Sequence, residues 1–132
     1  MPVVDASVMF EWLACGEREQ TVKERLVGER QALWAPELLD AEVGQALRRA
    51  VRRHAVDADR AAAALWELRQ LPVRRISHEL LVHVAWAMRD QVSFYDALYV
   101  ALAEMLGQPL LTLDARLGRA GLETPIEVLA QA

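Results

Sequence analysis

Short apolar runs alternate with longer stretches of helical periodicity along the whole chain. Met1–Val4, Ala32–Ala35, Leu71–Ile76, Pro109–Leu113 and Pro125–Leu129 are the strand candidates. Most lack the in/out alternation of a half-exposed sheet, which predicts a sheet covered on both faces. Between them the apolar positions recur at three- and four-residue intervals. Ser7–Ala14 reads as a short helix and Glu17–Glu29 as an amphipathic one. Glu37–His54 opens after Pro36, and Asp57 starts an Ala-rich helix to Gln70. Ser77 is an N-cap candidate for a helix reaching Arg89, while Ser93 opens another that Gly107 ends. The resulting order, β-α-α-β-α-α-β-α-α-β-α-β, predicts a mainly parallel sheet of about five strands between helical layers. Ligands in such folds collect beyond the carboxyl ends of the strands.

Composition adds bounds. The 132 residues suit one domain, read as 1–132, and 54% hydrophobic with 26% charged residues excludes a disordered chain. Leu80–Met88, the longest strongly apolar stretch, is interrupted by His83 and too short to span a bilayer. No positive charge precedes an apolar segment in Met1-Pro2-Val3-Val4-Asp5, so the cytoplasm is the expected compartment. Cys15 is the only cysteine, which excludes an intrachain disulfide and a thiolate cluster. The net charge of −4 argues on its face against nucleic acid, but Arg48, Arg49, Arg52, Arg53 and His54 form one basic run and Arg74-Arg75 another. These runs also read as solvated faces, and a carboxylate pocket would itself make the total negative. Net charge decides little.

Four carboxylates stand where chemistry is expected. Asp5 follows Pro2-Val3-Val4 and Asp114 follows Leu110-Leu111-Thr112-Leu113, so both should emerge at one edge of the sheet. Each is equally an N-cap, stabilising a helix start by roughly 1 kcal/mol. Glu42 falls within the apolar stripe of Leu38, Leu39, Val43, Ala46, Leu47 and Ala50, where an ionised carboxylate needs a cation, hydrogen-bond donors or an arginine. Its acidic neighbours Glu37 and Asp40 fall nearer the solvated rim. Asp96 sits three residues after Ser93, a position that also suits the helix dipole. Taken jointly, four clustered acids repel one another and call for a cation. Oxygen donors without cysteine or a nearby histidine suit Mg²⁺ or Mn²⁺ better than Zn²⁺. Such an ion can activate water against a phosphodiester. Ser7 and Thr112, each two positions from an acid, are candidates to hydrogen-bond a carboxylate or a substrate phosphate, with a capping or strand role equally open. His54, His78 and His83 share no ligand spacing, and His83 reads as a core or interface residue. Trp12, Trp34, Trp66 and Trp86 read as packing residues. Neither GxGxxG nor GxxxxGK[ST] occurs.

Val3-Val4-Asp5-Ala6-Ser7-Val8 resembles the opening of PIN-domain proteins. Ser93-Phe94-Tyr95-Asp96-Ala97-Leu98-Tyr99-Val100-Ala101-Leu102-Ala103-Glu104 resembles their central acidic motif, and Leu111-Thr112-Leu113-Asp114-Ala115-Arg116-Leu117 their last. Pro36-Glu37-Leu38-Leu39-Asp40-Ala41-Glu42-Val43 resembles the second, the loosest of the set. Order and spacing agree over essentially the whole chain, and the compact size is similar to the VapC toxins of bacterial toxin–antitoxin pairs. The resemblance implies a PIN-like three-layer α/β/α fold and a Mg²⁺-dependent endoribonuclease acting on structured RNA such as tRNA or rRNA. It further implies a homodimer and a cognate VapB-like antitoxin whose tail crosses the groove and presents an arginine to the carboxylates. Asp5, Glu42, Asp96 and Asp114 would inherit the acidic catalytic and metal-binding roles.

Two other classes compete. Phosphotransfer folds also gather acids at strand ends, but those sites need a lysine late in the chain, and the only lysine is Lys23. A second aspartate two residues after the first, the dehalogenase-like pattern, is replaced by Ser7. That reading falls. A non-catalytic module that uses the acidic groove to hold a basic partner tail survives.

Overall fold

A computed structural model describes residues 1–14, 16–27 and 33–129. Its elements are β1 (Val3–Val4), α1 (Ala6–Leu13), α2 (Glu19–Leu26), β2 (Leu33–Pro36), α3 (Leu38–Arg52), α4 (Ala58–Gln70), β3 (Val73–Ile76), α5 (Val82–Trp86), α6 (Phe94–Leu106), β4 (Leu110–Thr112), α7 (Ala115–Gly118) and β5 (Ile126–Val128). The five strands form one wholly parallel sheet in the order β3-β2-β1-β4-β5. Val3, Val4, Leu110 and Leu111 in its centre are fully buried, as the unalternating apolar runs predict. Edge strands β3 and β5 are partly exposed.

Helix α1 packs with α2, α3 and α4, whereas α6 packs on α5 and on β1, β2 and β4. Chain order explains the two layers. From β1 the chain steps outward to β2 and β3, then returns past β1 to β4 and β5. Right-handed crossovers put helices of opposite stepping direction on opposite faces. The direction reverses between β1 and β4, and the crevice at such a reversal is where these sheets bind ligands. Asp5 and Asp114 sit just past those two strands.

Local sequence fixes the helix ends that matter. Asp5 caps α1 by accepting the Val8 N–H, and the Ser93 hydroxyl caps α6 by accepting the Asp96 N–H at 3.1 Å. Gly107 closes α6 in the left-handed conformation (φ 63°). In α3 the buried residues Leu39, Val43, Leu47 and Ala50 form one stripe.

The single helix expected from Ser77 to Arg89 is instead a 3-10 turn over His78–Leu80, the short α5 and a run of turns. Ser77 makes no side-chain cap, and the bonds from Ala87, Met88 and Arg89 reach back only three residues. His78 is used otherwise: its Nε2 accepts the Leu38 N–H at 2.9 Å, tying this turn to the start of α3. His83 is exposed, not a core residue, because Leu81, Ala85 and Met88 supply the buried side of the segment. Trp66 and Trp86 are likewise exposed, each lying under a guanidinium (Arg69 and Arg89, about 5 Å from the ring centre). Cys15, the end of the expected Glu17–Glu29 helix and Ala32 lie outside the described residues.

Gly107 has open space where a Cβ would stand, so Gly107→Ala carries only the backbone penalty of its left-handed conformation. It should lose about 1 kcal/mol in urea denaturation while leaving divalent-cation binding unchanged.

Candidate active site

The apolar run of β1 carries Asp5 into a place where little water reaches it, 9% exposed. Its Oδ1 accepts from the Ser7 hydroxyl at 2.5 Å and from the Val8 N–H at 3.2 Å, and its Oδ2 accepts from the Thr112 hydroxyl. Both hydroxyls also accept a backbone N–H from the end of β4, Leu113 to Ser7 across the two strands and Asp114 to Thr112 within one, each at 3.0 Å. Ser7 and Thr112 therefore hold a carboxylate and stitch β1 to β4. Thr112 is fully buried, so its hydroxyl is closed to a substrate phosphate. Burial nevertheless dominates over these donors and pushes the Asp5 carboxyl up to about 6.

Asp114, next along the same edge, caps α7 through the Arg116 N–H at 2.9 Å. The Arg116 guanidinium grips both its oxygens, Nε to Oδ1 at 3.1 Å and Nη2 to Oδ2 at 2.9 Å, and holds it below the ordinary carboxylate range. Asp96 and Glu42 come from opposite helical layers and are both half-buried. Burial raises each above its ordinary value; the Asp114 charge raises Asp96 further, and the Asp96 charge raises Glu42. Glu42 makes no direct ion pair among the described residues, although Arg49 is near enough to oppose its shift. Asp40, by contrast, is not simply solvated: Arg75 holds both its oxygens, at 2.7 and 2.8 Å, binding α3 to β3.

The four acids thus share one edge, where the Asp114 charge bears on Asp96 and the Asp96 charge on Glu42. Among the described residues, no three acidic, histidine or cysteine side chains close around one point. Asp5 is held instead by Ser7, Thr112 and Val8, and Asp114 by Arg116. Glu42 lines a groove of about 640 Å³ with Phe10, Arg18, Arg49, Arg53 and Tyr95. Asp96 and Asp114 line a second hollow of about 400 Å³ with Ser93 and Arg116. Neither contains sulfur or imidazole, so the donor set fits a hard divalent cation. A larger cavity, about 680 Å³, lies between α5, α6 and the turn before β5 and holds none of the four acids.

A family model for the PIN domain matches residues 3–122. The chain belongs to the PIN-domain family. Ribonuclease VapC1 of Mycobacterium tuberculosis is 44% identical to it over 129 residues, 96% of either chain. The crystal structure of VapC20 from the same organism, described as a sarcin–ricin-loop-cleaving toxin, has a TM-score of 0.73 over 92% of this chain and 96% of that one, at 21% identity. A toxin–antitoxin complex from Klebsiella pneumoniae gives 0.64 at 17% identity, covering 96% of each chain. At such identities the two structures speak for the fold, a parallel α/β/α sandwich as the sequence predicts.

Two residues of this PIN-domain site escaped the sequence reading as individuals. Arg116, two residues after Asp114, is the cation that occupies it. Tyr99, three residues after Asp96 and so on the same side of α6, is buried beneath the acids.

The metal-free protein should grow less stable as pH rises. Burial pushes the Asp5 carboxyl up to about 6 from an ordinary aspartate's 3.8, so its favourable contribution, about 3 kcal/mol, is present below about pH 4 and lost as pH passes 6. Asp5→Asn should flatten this dependence in urea titrations between pH 4 and 7, and saturating Mg²⁺ should restore the wild type at pH 7 but not the variant. An unchanged pH slope in Asp5→Asn would show that Asp5 ionises at no cost.

Proposed function

We propose that this protein is a divalent-metal-dependent endoribonuclease, the toxin of a VapBC-like toxin–antitoxin pair. Asp5, Glu42, Asp96 and Asp114 are the residues that would hold the ion. The observation that carries the reading is electrostatic: Asp5, Glu42 and Asp96 are all raised by burial, and neighbouring carboxylates add to the last two. That arrangement costs stability at neutral pH unless a cation neutralises it. Its likeness to ribonuclease VapC1 across the chain supports the same assignment.

When bound, Mg²⁺, or Mn²⁺ in its place, supplies Lewis-acid charge that acidifies a water and offsets the charge of a phosphodiester. The remaining work falls to the chain. Asp5, fixed by three hydrogen bonds, offers a ligand that needs no rearrangement. Asp114 must leave Arg116, which frees that guanidinium for a substrate phosphate. Glu42 and Asp96, with raised proton affinity, are suited to take the water's proton as its oxygen bonds phosphorus; the ester P–O bond breaks with its electron pair on the leaving oxygen, which takes a proton from solvent. Arg18, Arg49 and Arg53 in the groove beside Glu42 suit the phosphates of tRNA or rRNA, and Tyr95, 62% exposed, suits a base.

The partners follow the same reading. Leu80 and Trp86, 60% and 59% exposed, offer an apolar face for a homodimer, and the acidic edge suits an arginine-bearing VapB-like antitoxin tail. Among the described residues no helix is long and apolar enough to cross a membrane, and cytoplasmic RNA is the substrate pool we assign. The grip of Arg116 on Asp114 also supports a second reading, a non-catalytic module that holds a basic tail.

Cleavage separates the two. Partner-free protein should cut RNA in Mg²⁺ or Mn²⁺ and stop in EDTA, and Asp5→Ala and Asp96→Ala should each lose at least about a hundredfold. Asp90→Ala, at an exposed turn, is the control and should match wild type; Asp40→Ala would be a poor one because it also removes the Arg75 pair. Replacing Arg48, Arg49, Arg52 and Arg53 together should weaken RNA binding and flatten its salt dependence. Equal cleavage by all variants would point to a contaminating nuclease and leave the binding module.

A further inference from the structure

Tyr99 is only 1% exposed, and its hydroxyl has no hydrogen-bond partner among the described residues. A buried donor in a native protein ordinarily finds an acceptor, so an orphan at a polar site calls for a reason. What surrounds this one is informative. Burial bears on the phenol most, and the charges that add to it are all carboxylates, Glu42 foremost, then Asp5 and Asp96. Such surroundings keep the phenol neutral and therefore a donor. Glu42, for its part, is half-buried and has no direct ion pair among the described residues. The phenol and the Glu42 carboxylate are thus near enough to interact but are not joined by a hydrogen bond of ordinary geometry, one on α6 and one on α3, from opposite sides of the sheet.

We infer that Tyr99 is a positioning residue for the divalent cation: on ion binding its hydroxyl donates to the Glu42 carboxylate and fixes which oxygen faces the ion. The inference rests on the metal-site reading above. It gives the orphan a function in the geometry at hand. The Glu42 carboxylate already neighbours the phenol, so the bond needs no change of fold. A cation held by Glu42, Asp5 and Asp96 would fix Glu42 among the carboxylates that surround the Tyr99 hydroxyl. One oxygen of Glu42 then serves the ion and the other accepts from Tyr99. Partners of this kind orient ligands and raise their affinity for the metal.

Calorimetric titration of the whole protein with Mn²⁺ tests it. Tyr99→Phe should bind Mn²⁺ roughly tenfold more weakly than wild type. Its metal-free melting temperature should be unchanged or higher, since it removes an unsatisfied hydroxyl; a merely structural tyrosine would give the opposite pair of results. In a Glu42→Gln background, Tyr99→Phe should have no further effect on Mn²⁺ affinity, because the two changes act through one bond. If wild type binds no Mn²⁺, the metal reading fails and takes this inference with it. If wild type binds and Tyr99→Phe binds equally well, only the inference is overturned. A second measurement covers a variant that does not fold. The chain has two tyrosines, and with both as 3-fluorotyrosine, Tyr95→Phe identifies the Tyr99 fluorine resonance. Saturating Mg²⁺, which is diamagnetic, should shift that resonance in wild type and not in Glu42→Gln. A resonance that Mg²⁺ leaves in place would overturn the role.

Discussion

Burying one carboxylate between two strand ends is the constraint on which the site depends. Asp5 enters the interior because β1 is short, wholly apolar and central, and the chain has nowhere else to turn into α1. An ionised group there needs donors, and it takes them from both sides of the sheet's reversal: the Val8 N–H and Ser7 hydroxyl on α1, and the Thr112 hydroxyl at the end of β4. The same hydroxyls accept N–H groups from Leu113 and Asp114. The acid thus organises the backbone that delivers the next acid. Three donors are still too few to offset desolvation, as the raised Asp5 pKa shows. The fold leaves one carboxylate under-compensated at the place where ligands collect.

The other acids extend that imbalance by different routes. Asp96 is placed by a helix cap, Glu42 by the buried stripe of α3, and Asp114 by the capping of a four-residue helix. None is there for the sake of the others as far as local structure goes, so each is individually explicable as a cap or a stripe residue. Only their common edge makes them a site. The two layers meet over it because the crossover direction reverses between β1 and β4, which sends α3 and α6 to opposite faces of the sheet. Arg116 answers the charge from within the chain: its guanidinium, 83% exposed in its side chain, lies on both oxygens of Asp114 while staying in water.

Much of this was legible in the chain. The strands fall within two residues of their expected bounds because parallel strands covered on both faces leave unbroken apolar runs, and Ser93, Gly107 and Asp57 mark helix ends through local chemistry. The acids were legible as positions, two after strands and two on helices, and the motif resemblance joined them. What was not legible depended on tertiary neighbours. Nothing in the local sequence says that Arg75 will reach Asp40, that His78 will accept the N–H of Leu38, or that Trp66 and Trp86 will lie outside beneath arginines. For His83, expected in the core or at an interface, the structure excludes the core for the same reason: an apolar window says that a segment is buried on one side, and only packing decides which side.

Tyr99 shows where that limit bears on function. Its spacing from Asp96 puts both on one side of α6, but whether a buried phenol finds an acceptor depends on α3, fifty-seven residues earlier in the chain. A hydrophobic pattern treats it as core, and by exposure it is core. Its hydroxyl makes it different, because a phenylalanine would fill the same volume without leaving a donor unmet. A fold under selection for packing alone gains nothing from that donor. The proposed metal site would gain from it, because Glu42 could accept from the phenol with one oxygen while the other faced the ion.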